Sequence, residues 1–270
     1  MQADPLLFPS ITDADESAQG RVVVSGSHGG IYPGYLASKY RLGAAILNDA
    51  GGGLEDAGVQ GVLALGSISV PAAAVGHDSA RIGDAEDMVN RGVISRVNSV
   101  AADAGVRAGM TCREAVTTLC RIARAPSDTL PAATEGRRAI IRDQEADIIL
   151  ADSAALVTPE DAGKIVITGS HGGLVGGDTA RALKAAAALA VFNDAGIGVD
   201  NAGTTRLPAL DARGIPAVTV SHLSARIGDA ASALETGTIS ASNDAARRLG
   251  AVPGDRLSAW IDRAFTGNAG

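Results

Sequence analysis

The sequence is poor in aromatic residues and in cysteine, and both shortages limit what its core can contain. Aromatic residues make up only 3% of the 270 residues, whereas 46% are hydrophobic and 34 are glycine. A core with so little aromatic bulk has to be built from Ala, Val, Ile and Leu in closely packed elements. The two cysteines, Cys112 and Cys120, do not form a CxxC pattern, so neither a disulfide framework nor a cysteine metal site is predicted.

Long apolar runs and basic clusters are also missing. The longest apolar run, Ala185 to Phe192, is far shorter than the roughly 20 residues that span a bilayer. The net charge of −7 and the scattered basic residues argue against a nucleic-acid surface. The N-terminus lacks the basic region and apolar stretch of a signal peptide. We therefore expect a cytoplasmic protein with a small-molecule substrate and no nucleic-acid or membrane partner, and we leave a homo-oligomer open.

What the sequence does contain is a repeated motif. Gly-Ser-His-Gly-Gly occurs at positions 26–30 and again at 169–173, each time after a short apolar run. The four histidines fall into two pairs, in which His28 matches His171 and His77 matches His222. The first pair is 143 positions apart and the second 145, so the second copy gains two residues in between. We predict two α/β repeats, at 5–125 and 148–268, joined by a linker at 126–147.

Each repeat alternates short β-branched runs with helical periodicity. The predicted core strands are Arg21 to Val24, Ala45 to Leu47, Ala72 to Val75, Lys164 to Ile167, Ala190 to Phe192 and Ala217 to Val220. These runs are apolar without alternation, which is typical of parallel strands that are covered on both faces. The predicted fold is α/β, with two duplicated three-layer halves, mainly parallel sheets and pseudo-twofold symmetry between the halves.

Helices are predicted at four places. Apolar residues at helical spacing predict a last helix from Leu257 to Phe265. Its first-copy counterpart runs from Cys112 to Cys120, which places both cysteines on the core side as small buried hydrophobic residues. We also predict a helix from Asp178 to Ala188, after the second motif, and a linking helix from Glu135 to Asp147.

Three motifs follow the predicted strands, and their side chains are candidates for function. Because the carboxyl ends of parallel strands form the ligand-binding crevice of α/β sheets, we expect the motifs to converge there. The candidate catalytic residues are Ser27, His28, Asp49, His77 and Asp84 in the first copy and Ser170, His171, Asp194, His222 and Asp229 in the second. The candidate substrate-binding residues are Gly26, Gly29, Gly30, Asn48, Ser79, Arg81, Gly169, Gly172, Gly173, Asn193, Ser224 and Arg226.

Each candidate has a catalytic and a structural interpretation. Histidine can act as an acid or base, aspartate can orient it, and arginine can clamp a carboxylate or carbonyl group. Glycines with positive φ can present backbone N–H groups to an anion or oxyanion. The same residue types also cap helices and close turns. A triad would pair Ser170 with His222, oriented by Asp194 or Asp229, although the sequence lacks a Gly-x-Ser-x-Gly elbow.

These observations favour an enzyme. We predict a hydrolase of a small, polar, anionic carbonyl compound that cleaves an amide or related bond without a cofactor or metal. One alternative is a nucleotide- or dinucleotide-binding protein, although a histidine stands where phosphate needs a minimal side chain. Another is a metal-dependent lyase or hydrolase with ligands such as His28, Asp49, His77 and Asp84, which lack local ligand spacing. The last is a duplicated ligand-binding or scaffold protein without catalysis.

Overall fold

The computed structural model describes residues 4–140 and 147–265, and its first sheet has five strands. In chain order these are β1 Leu6–Phe8, β2 Val22–His28, β3 Ala44–Asn48, β4 Ala72–Val75 and β5 Ile94–Val97. The spatial order is the same as the chain order. Strands β1 to β4 are parallel, and β5 pairs with β4 in the antiparallel direction.

In the described part of the chain, the second sheet has six strands and the same kind of connectivity. They are β6 Arg137–Ile140, β7 Ile148–Ala151, β8 Ile165–His171, β9 Leu189–Asn193, β10 Ala217–Val220 and β11 Ile239–Ser242. Strands β7 to β10 are parallel neighbours in that order, and β11 closes one edge in the antiparallel direction. The additional strand β6 pairs with β7 at the other edge.

Helices fill the connections between the strands. They are α1 Ile31–Lys39, α2 Gln60–Ala64, α3 Ala85–Arg91, α4 Ser99–Asp103, α5 Cys112–Cys120, α6 Arg206–Asp211, α7 Ala230–Thr236, α8 Asp244–Arg248 and α9 Leu257–Phe265. Along β7, Ile148 and Leu150 contribute to a core cluster with α7 and α9, whereas Ile149 and Ala151 contribute to a different cluster with α6. Because adjacent side chains of a strand point to opposite faces, the sheet is covered on both sides.

The α/β class and the mainly parallel sheets were predicted from the sequence and are confirmed. Strands β4 and β10 have the predicted bounds, and β3 and β9 are one residue longer at each end. Strands β2 and β8 begin one residue later than predicted and end four residues later. Strand β2 continues through the motif to His28, and β8 continues to His171. The helices α5 and α9 are present as predicted. Cys112 is buried and Cys120 partly buried, which agrees with their predicted core positions.

The helix predicted from Asp178 to Ala188 is wrong. Only one short 3-10 turn, Thr179–Arg181, forms in this segment. Two arginines explain the difference, because Arg206 donates to the carbonyl oxygens of Arg181 and Ala182, and Arg213 donates to those of Leu183 and Ala185. The two guanidinium groups hold these four carbonyl groups along the observed non-helical path.

The linking helix predicted from Glu135 to Asp147 is also wrong where the structure describes it. Residues 137–140 form the edge strand β6, and residues 141–146 lie outside the described part of the chain. The chain is held in an extended path because Gly136 N–H donates to Asp152 over 2.7 Å and Arg137 forms an ion pair of 2.6 Å with buried Asp161. These contacts come from residues distant in sequence, which periodicity does not detect.

The two sheets contact each other through equivalent positions. The N–H of Leu54 donates to the carbonyl oxygen of His222 over 2.7 Å, and the N–H of Val199 donates to that of His77 over 2.8 Å. The two bonds join matched positions, because Leu54 and Val199 are 145 positions apart and so are His77 and His222. An apolar cluster between the sheets is likewise made of three matched pairs, Ala50 with Ala195, Ala57 with Ala202 and Ile82 with Ile227.

None of the helices in the described residues is both long enough and apolar enough to span a membrane.

Candidate functional site

Parallel strand order brings the three motifs of each copy to one edge of its sheet. Strands β2, β3 and β4 are parallel neighbours, and so are β8, β9 and β10. His28 ends β2, Asp49 directly follows β3, and His77 comes two residues after β4 ends. The predicted convergence at the carboxyl ends of the strands therefore holds at the level of the backbone.

The first histidine pair is held by the motif itself. His28 Nδ1 accepts a hydrogen bond of 3.2 Å from the N–H of Gly30, and His171 Nδ1 accepts one of 3.2 Å from the N–H of Gly173. A nitrogen that accepts from a backbone N–H carries no proton of its own, so both rings are neutral with the proton on Nε2. Each ring therefore presents an Nε2–H donor.

Burial stabilises this neutral state. It lowers the pKa of His28 to about 4. His171 is only 7% exposed, and its pKa lies well below its usual value because of burial first and then the nearby cation of Arg206. Two imidazoles with such pKa values are uncharged throughout the physiological pH range and are poor general bases.

Both rings line one cleft of about 310 Å³ between the two sheets. Four serines line its wall, of which Ser27 and Ser170 belong to β2 and β8, and Ser10 and Ser153 to the segments that follow β1 and β7. The other polar and charged residues of the wall are Thr12, Tyr32, Glu135, Asp152, Arg181, Lys184 and Arg206. A second cavity of about 230 Å³ shares His28, Tyr32 and Glu135 with the cleft. Concave polar sites of this size accept small ligands.

The motif serines lie in the cleft beside the histidines. Ser27 Oγ accepts from the N–H of Ile11 over 2.9 Å, and Ser170 Oγ accepts from the N–H of Ala154 over 2.9 Å. An oxygen that accepts in this way keeps its own proton for donation. These serines therefore connect their motifs to residues 16 positions earlier. Ser170 keeps an O–H donor for the cleft, whereas the Ser27 hydroxyl also lies 3.4 Å from Ser10 Oγ.

Glu135 was missed as a site residue by sequence reasoning. Its carboxyl group is largely buried, and burial, with a contribution from nearby Asp152, raises its pKa to about 7 despite a hydrogen bond from Ser153. It lines both cavities. A carboxyl group that titrates near neutrality inside a cleft is a candidate acid or base. The sequence held no signal for it, because Glu135 has no counterpart in the repeat and lies in the linker.

The second histidine pair lies elsewhere. His77 Nδ1 is 2.9 Å from Asp49 Oδ1, His222 Nδ1 is 3.0 Å from Asp194 Oδ1, and neither histidine lines the cleft. The two rings face each other across the contact between the sheets, with centroids 6.4 Å apart. Each aspartate also accepts from the backbone N–H of its histidine over 2.9 Å. The imidazoles predicted to share one crevice are thus divided between two locations.

Hydrogen bonds set the charge of the His77 pair. The Asp49 carboxylate raises the pKa of His77, chiefly through their hydrogen bond and against the effect of burial. Burial opposes ionisation of Asp49, but hydrogen bonds from His77 and Ser95 outweigh it and lower the pKa of this aspartate. The pKa of Asp194 is lowered in the same way by His222. Each pair has its hydrogen-bonding partners within the protein, which suits a structural role at the contact between the sheets.

Asp84 and Asp229 begin helices. Asp84 accepts from the N–H of Asp87 at the start of α3, and Asp229 accepts from the N–H of Ser232 at the start of α7. Capping by a side-chain oxygen satisfies a backbone donor that has no partner within the helix. Asp229 also borders the second cavity, whereas Asp84 lines none of the cavities that contain a cleft histidine.

Arg81 and Arg226 form ion pairs between the sheets. Arg81 is 2.8 Å from Asp200, and Arg226 is 3.3 Å from Glu55 and 2.9 Å from Asp229. Asp200 and Glu55 occupy matched positions, so this contact is reciprocal as well. Both arginines have carboxylate partners from the protein, and neither lines the cleft.

The candidate asparagines and the later serines donate to backbone carbonyl groups of the protein. Asn48 donates to the carbonyl oxygen of Ala80 and Asn193 to that of Ala225. Ser79 Oγ donates to the carbonyl oxygen of Gly76, and Ser224 Oγ donates to that of Ser221. The same bonds therefore recur at matched positions, and these donors are used within the protein.

The motif glycines differ from their predicted conformation and use. The residues with positive φ do not include Gly26, Gly29, Gly30, Gly169, Gly172 or Gly173. Close packing explains them instead, since a Cβ at position 29 would lie 2.6 Å from Val62 Cγ2 and one at 172 would lie 2.4 Å from the carbonyl oxygen of Gly203. The N–H groups of Gly29 and Gly172 donate to strand carbonyls, and those of Gly30 and Gly173 to the imidazoles. These four donors are not directed at a ligand.

Two predicted constellations are not assembled within the described residues. Ser170 and His222 share no hydrogen bond there, since Ser170 lines the cleft and His222 bonds Asp194 outside it. In the same part of the chain, no group of three or more His, Cys, Asp or Glu side chains is arranged to hold a metal ion. His28 and His77, two ligands of the metal alternative, belong to separate clusters.

Comparisons of the chain with protein-family models, curated proteins and solved structures found no match.

Proposed function

We propose that this protein is an enzyme that polarises the carbonyl group of a small anionic compound in the cleft between the two sheets. The observation that carries the proposal is the pair of neutral imidazoles, His28 and His171, which line the cleft with Nδ1 occupied. A neutral imidazole with a fixed Nε2–H is a directed hydrogen-bond donor for a developing oxyanion. In this proposal the two rings bind the oxyanion, a role that the sequence analysis assigned to the backbone N–H groups of the motif.

Glu135 supplies the acid and base function in this proposal. Its pKa of about 7 allows both protonation states near neutral pH. The imidazoles do not compete with it for this part, because burial keeps the pKa of His28 near 4 and that of His171 well below its usual value.

Hydrolysis of an amide or related bond is the reaction we assign. Ionised Glu135 accepts a proton from water as the water oxygen bonds to the carbonyl carbon, and the carbonyl oxygen becomes an oxyanion that accepts from Nε2–H. The protonated carboxyl group then donates its proton to the leaving nitrogen as the C–N bond breaks, which gives a carboxylic acid and an amine. No redox partner is needed.

We further infer that the two sheets are duplicated halves related by a pseudo-twofold axis. The parallel strands β1 to β4 and β7 to β10 have the same order, and Val23 pairs with Ala45 as Val166 pairs with Ala190. The contacts between the sheets are reciprocal, which a twofold relation requires. On this basis the cleft, with one imidazole from each half, is a single shared site.

The test is an NMR screen of small carboxylate-bearing amides incubated with the protein in D2O. Hydrolysis produces new amine and acid signals, whereas proton abstraction or elimination without hydrolysis produces deuterium exchange or an alkene. We expect hydrolysis, and a decrease of about 10²- to 10⁴-fold in its rate for Glu135→Gln. Glu86→Gln, an exposed change on α3, is the matched control and should keep wild-type activity.

Loss of activity in both variants would point to a general effect on folding. Equal activity in wild type and Glu135→Gln would show that the carboxyl group takes no part in the mechanism. Deuterium exchange without hydrolysis would show that the reaction is proton abstraction and not hydrolysis.

A further inference from the structure

Arg206 is a buried cation in the wall of the cleft. The residue is only 4% exposed. Its Nε donates to the carbonyl oxygen of Gly173 over 2.9 Å, and its Nη1 donates to those of Arg181 and Ala182. Within residues 4–140 and 147–265, Nη2 has no hydrogen-bond partner and no carboxylate lies within ion-pair distance of the guanidinium group. This cation therefore has only neutral neighbours to balance it.

The charge of Arg206 is retained at neutral pH. Burial, with a contribution from Arg181, lowers its pKa to about 10, which is still well above 7. The guanidinium carbon lies 5.1 Å from the centre of the Phe192 ring, a cation–π contact that offsets part of the cost of burial. Carbonyl groups and an aromatic face are weaker partners than an anion, and buried charges are ordinarily paired.

The first half has no equivalent cation. The position 145 residues earlier is Gly61, whose N–H donates to the carbonyl oxygen of Gly29 as the N–H of Arg206 donates to that of Gly172. The backbone role is thus shared by both halves, whereas the guanidinium group belongs to one. An arginine can hold the segment around Leu183 without lining the cleft. Arg213 does so, because it donates to the carbonyl oxygens of Leu183 and Ala185 and is not part of the cleft wall.

The wall of the cleft carries groups of both charges. Besides Arg206 it contains the cations Arg181 and Lys184 and the carboxyl groups of Glu135 and Asp152. Arg181 lies near enough to lower the pKa of Arg206, and Asp152 near enough to raise that of Glu135. A substrate with its anionic group near Arg206 can place a different group near Glu135.

We propose that the unpartnered Nη2 of Arg206, together with the hydroxyl group of Ser170, binds the carboxylate of the substrate. The cleft then takes one small carboxylate per chain, in one orientation, in spite of its two matching imidazoles. This inference rests on the proposed function for the claim that the cleft is the reaction site, but anion binding itself does not require turnover. A planar carboxylate fits the fork of a guanidinium group, and so does phosphate.

Binding of glycolate, glycolamide and inorganic phosphate, measured by NMR titration at constant ionic strength, tests the proposal. Glycolamide has the shape of glycolate without its charge. We expect wild-type protein to bind one glycolate per chain at least ten times more tightly than glycolamide. Arg206→Met should remove this preference, and Arg206→Lys, which keeps the charge but loses the fork, should retain part of it.

The matched control is Arg213→Met, which removes the two bonds to the carbonyl oxygens of Leu183 and Ala185, of 2.8 and 3.2 Å, but replaces no side chain that lines the cleft. It should bind glycolate like the wild type. Equal affinity of the wild type for glycolate and glycolamide would overturn the proposal even if Arg206→Met does not fold. Tighter binding of phosphate than of glycolate would show that the site binds a phosphate group and not a carboxylate. Glycolate binding without any hydrolytic turnover would refute the proposed function and leave the anion subsite standing.

Discussion

At the scale of single residues, the four histidines show how one side chain takes two chemical states. In the cleft, Nδ1 of His28 and His171 accepts from a backbone N–H, which fixes a neutral ring. Between the sheets, Nδ1 of His77 and His222 faces a carboxylate, which favours a protonated nitrogen. The partner of Nδ1 therefore decides whether this ring atom accepts a hydrogen bond or is paired with a carboxylate.

We predict that NMR of ¹⁵N-labelled histidine will separate these two states. His28 and His171 should remain neutral with the proton on Nε2 between pH 5.5 and 8, because burial lowers the pKa of the first to about 4 and that of the second well below its usual value. His77 should titrate above its ordinary value of roughly 6.5, since Asp49 stabilises its cation. A cleft histidine that becomes charged near pH 6.5 would contradict the assigned tautomer.

The low pKa of His28 has a consequence for stability. Its folded-state pKa of about 4 lies below the unfolded value of roughly 6.5, so the folded protein binds this proton less readily. The stability that depends on the neutral ring is complete above pH 6.5 and is lost as pH falls towards 4. Urea unfolding at several pH values should show this loss, and His28→Gln should reduce it. An equal loss in both proteins would assign the acid sensitivity to other groups.

Glu135 has the opposite dependence. Its folded-state pKa of about 7 is higher than the unfolded value of roughly 4.3, so stability is present at low pH and is lost as pH rises through this window. Glu135→Gln should therefore be more stable than wild type at pH 8 by about 1–2 kcal/mol, after allowance for partial exposure of the carboxyl group. At pH 4 the two should be similar. Denaturant unfolding at both pH values measures the difference, and Glu86→Gln should show no such change.

At the scale of secondary-structure elements, two buried asparagines join helices to strands. Asn98 Oδ1 accepts from the N–H groups of Ala72 and Ala101, and its Nδ2 donates to the carbonyl oxygens of Val62 and Val70. One side chain therefore connects β4, the start of α4 and the segment around α2. Asn243 makes the same four kinds of bond in the second sheet.

We predict that Asn98→Ala will destabilise the protein by about 3 kcal/mol or more, because it leaves several buried polar groups without partners. Thr111→Ala is the control, since Thr111 caps α5 at an exposed position with a single accepted bond from Glu114 N–H. Loss of an exposed cap costs only about 1 kcal/mol. Chemical denaturation of both variants provides the comparison, and similar costs would show that Asn98 acts as a simple cap.

Local pattern predicted the strands better than the helices. The buried strands form continuous apolar runs, and this signal does not depend on distant residues. The segment around Leu183 has helical composition, but guanidinium groups from Arg206 and Arg213 occupy its carbonyl oxygens. Residues that follow Glu135 become an edge strand because β7 is available to pair with them. Both differences come from partners that are remote in sequence.

At the scale of the whole molecule, two glycines allow the two sheets to approach each other. A Cβ on Gly196 would lie 2.6 Å from Cδ2 of His77, and one on Gly51 would lie 2.9 Å from Cδ2 of His222. Both glycines have positive φ, of 78° and 74°. The surrounding contacts are reciprocal, so a change at either glycine affects the contact between the sheets.

We predict that Gly196→Ala will be more damaging than Gly214→Ala. Gly214 also has positive φ, of 69°, but no atom lies within 4 Å of a Cβ built there. The control therefore carries only the backbone cost of about 1–2 kcal/mol, whereas Gly196→Ala adds a steric cost of about 1–3 kcal/mol at the contact with His77. Thermal or denaturant unfolding measures both, and we expect one cooperative transition in each. Equal destabilisation would mean that the contact between the sheets adapts freely.

The amino-acid sequence by itself determined the α/β class, the positions of the core strands and the matching of residues between the two copies. These follow from hydrophobic pattern and motif identity, which are local in the chain. Only the tertiary structure decided that the cleft contains His28 and His171 but not His77 and His222, and that Glu135 and Arg206 join them. A cleft is made of side chains that meet through packing, and burial then sets their charge. Neither the meeting nor the burial is written in the spacing of residues along the chain.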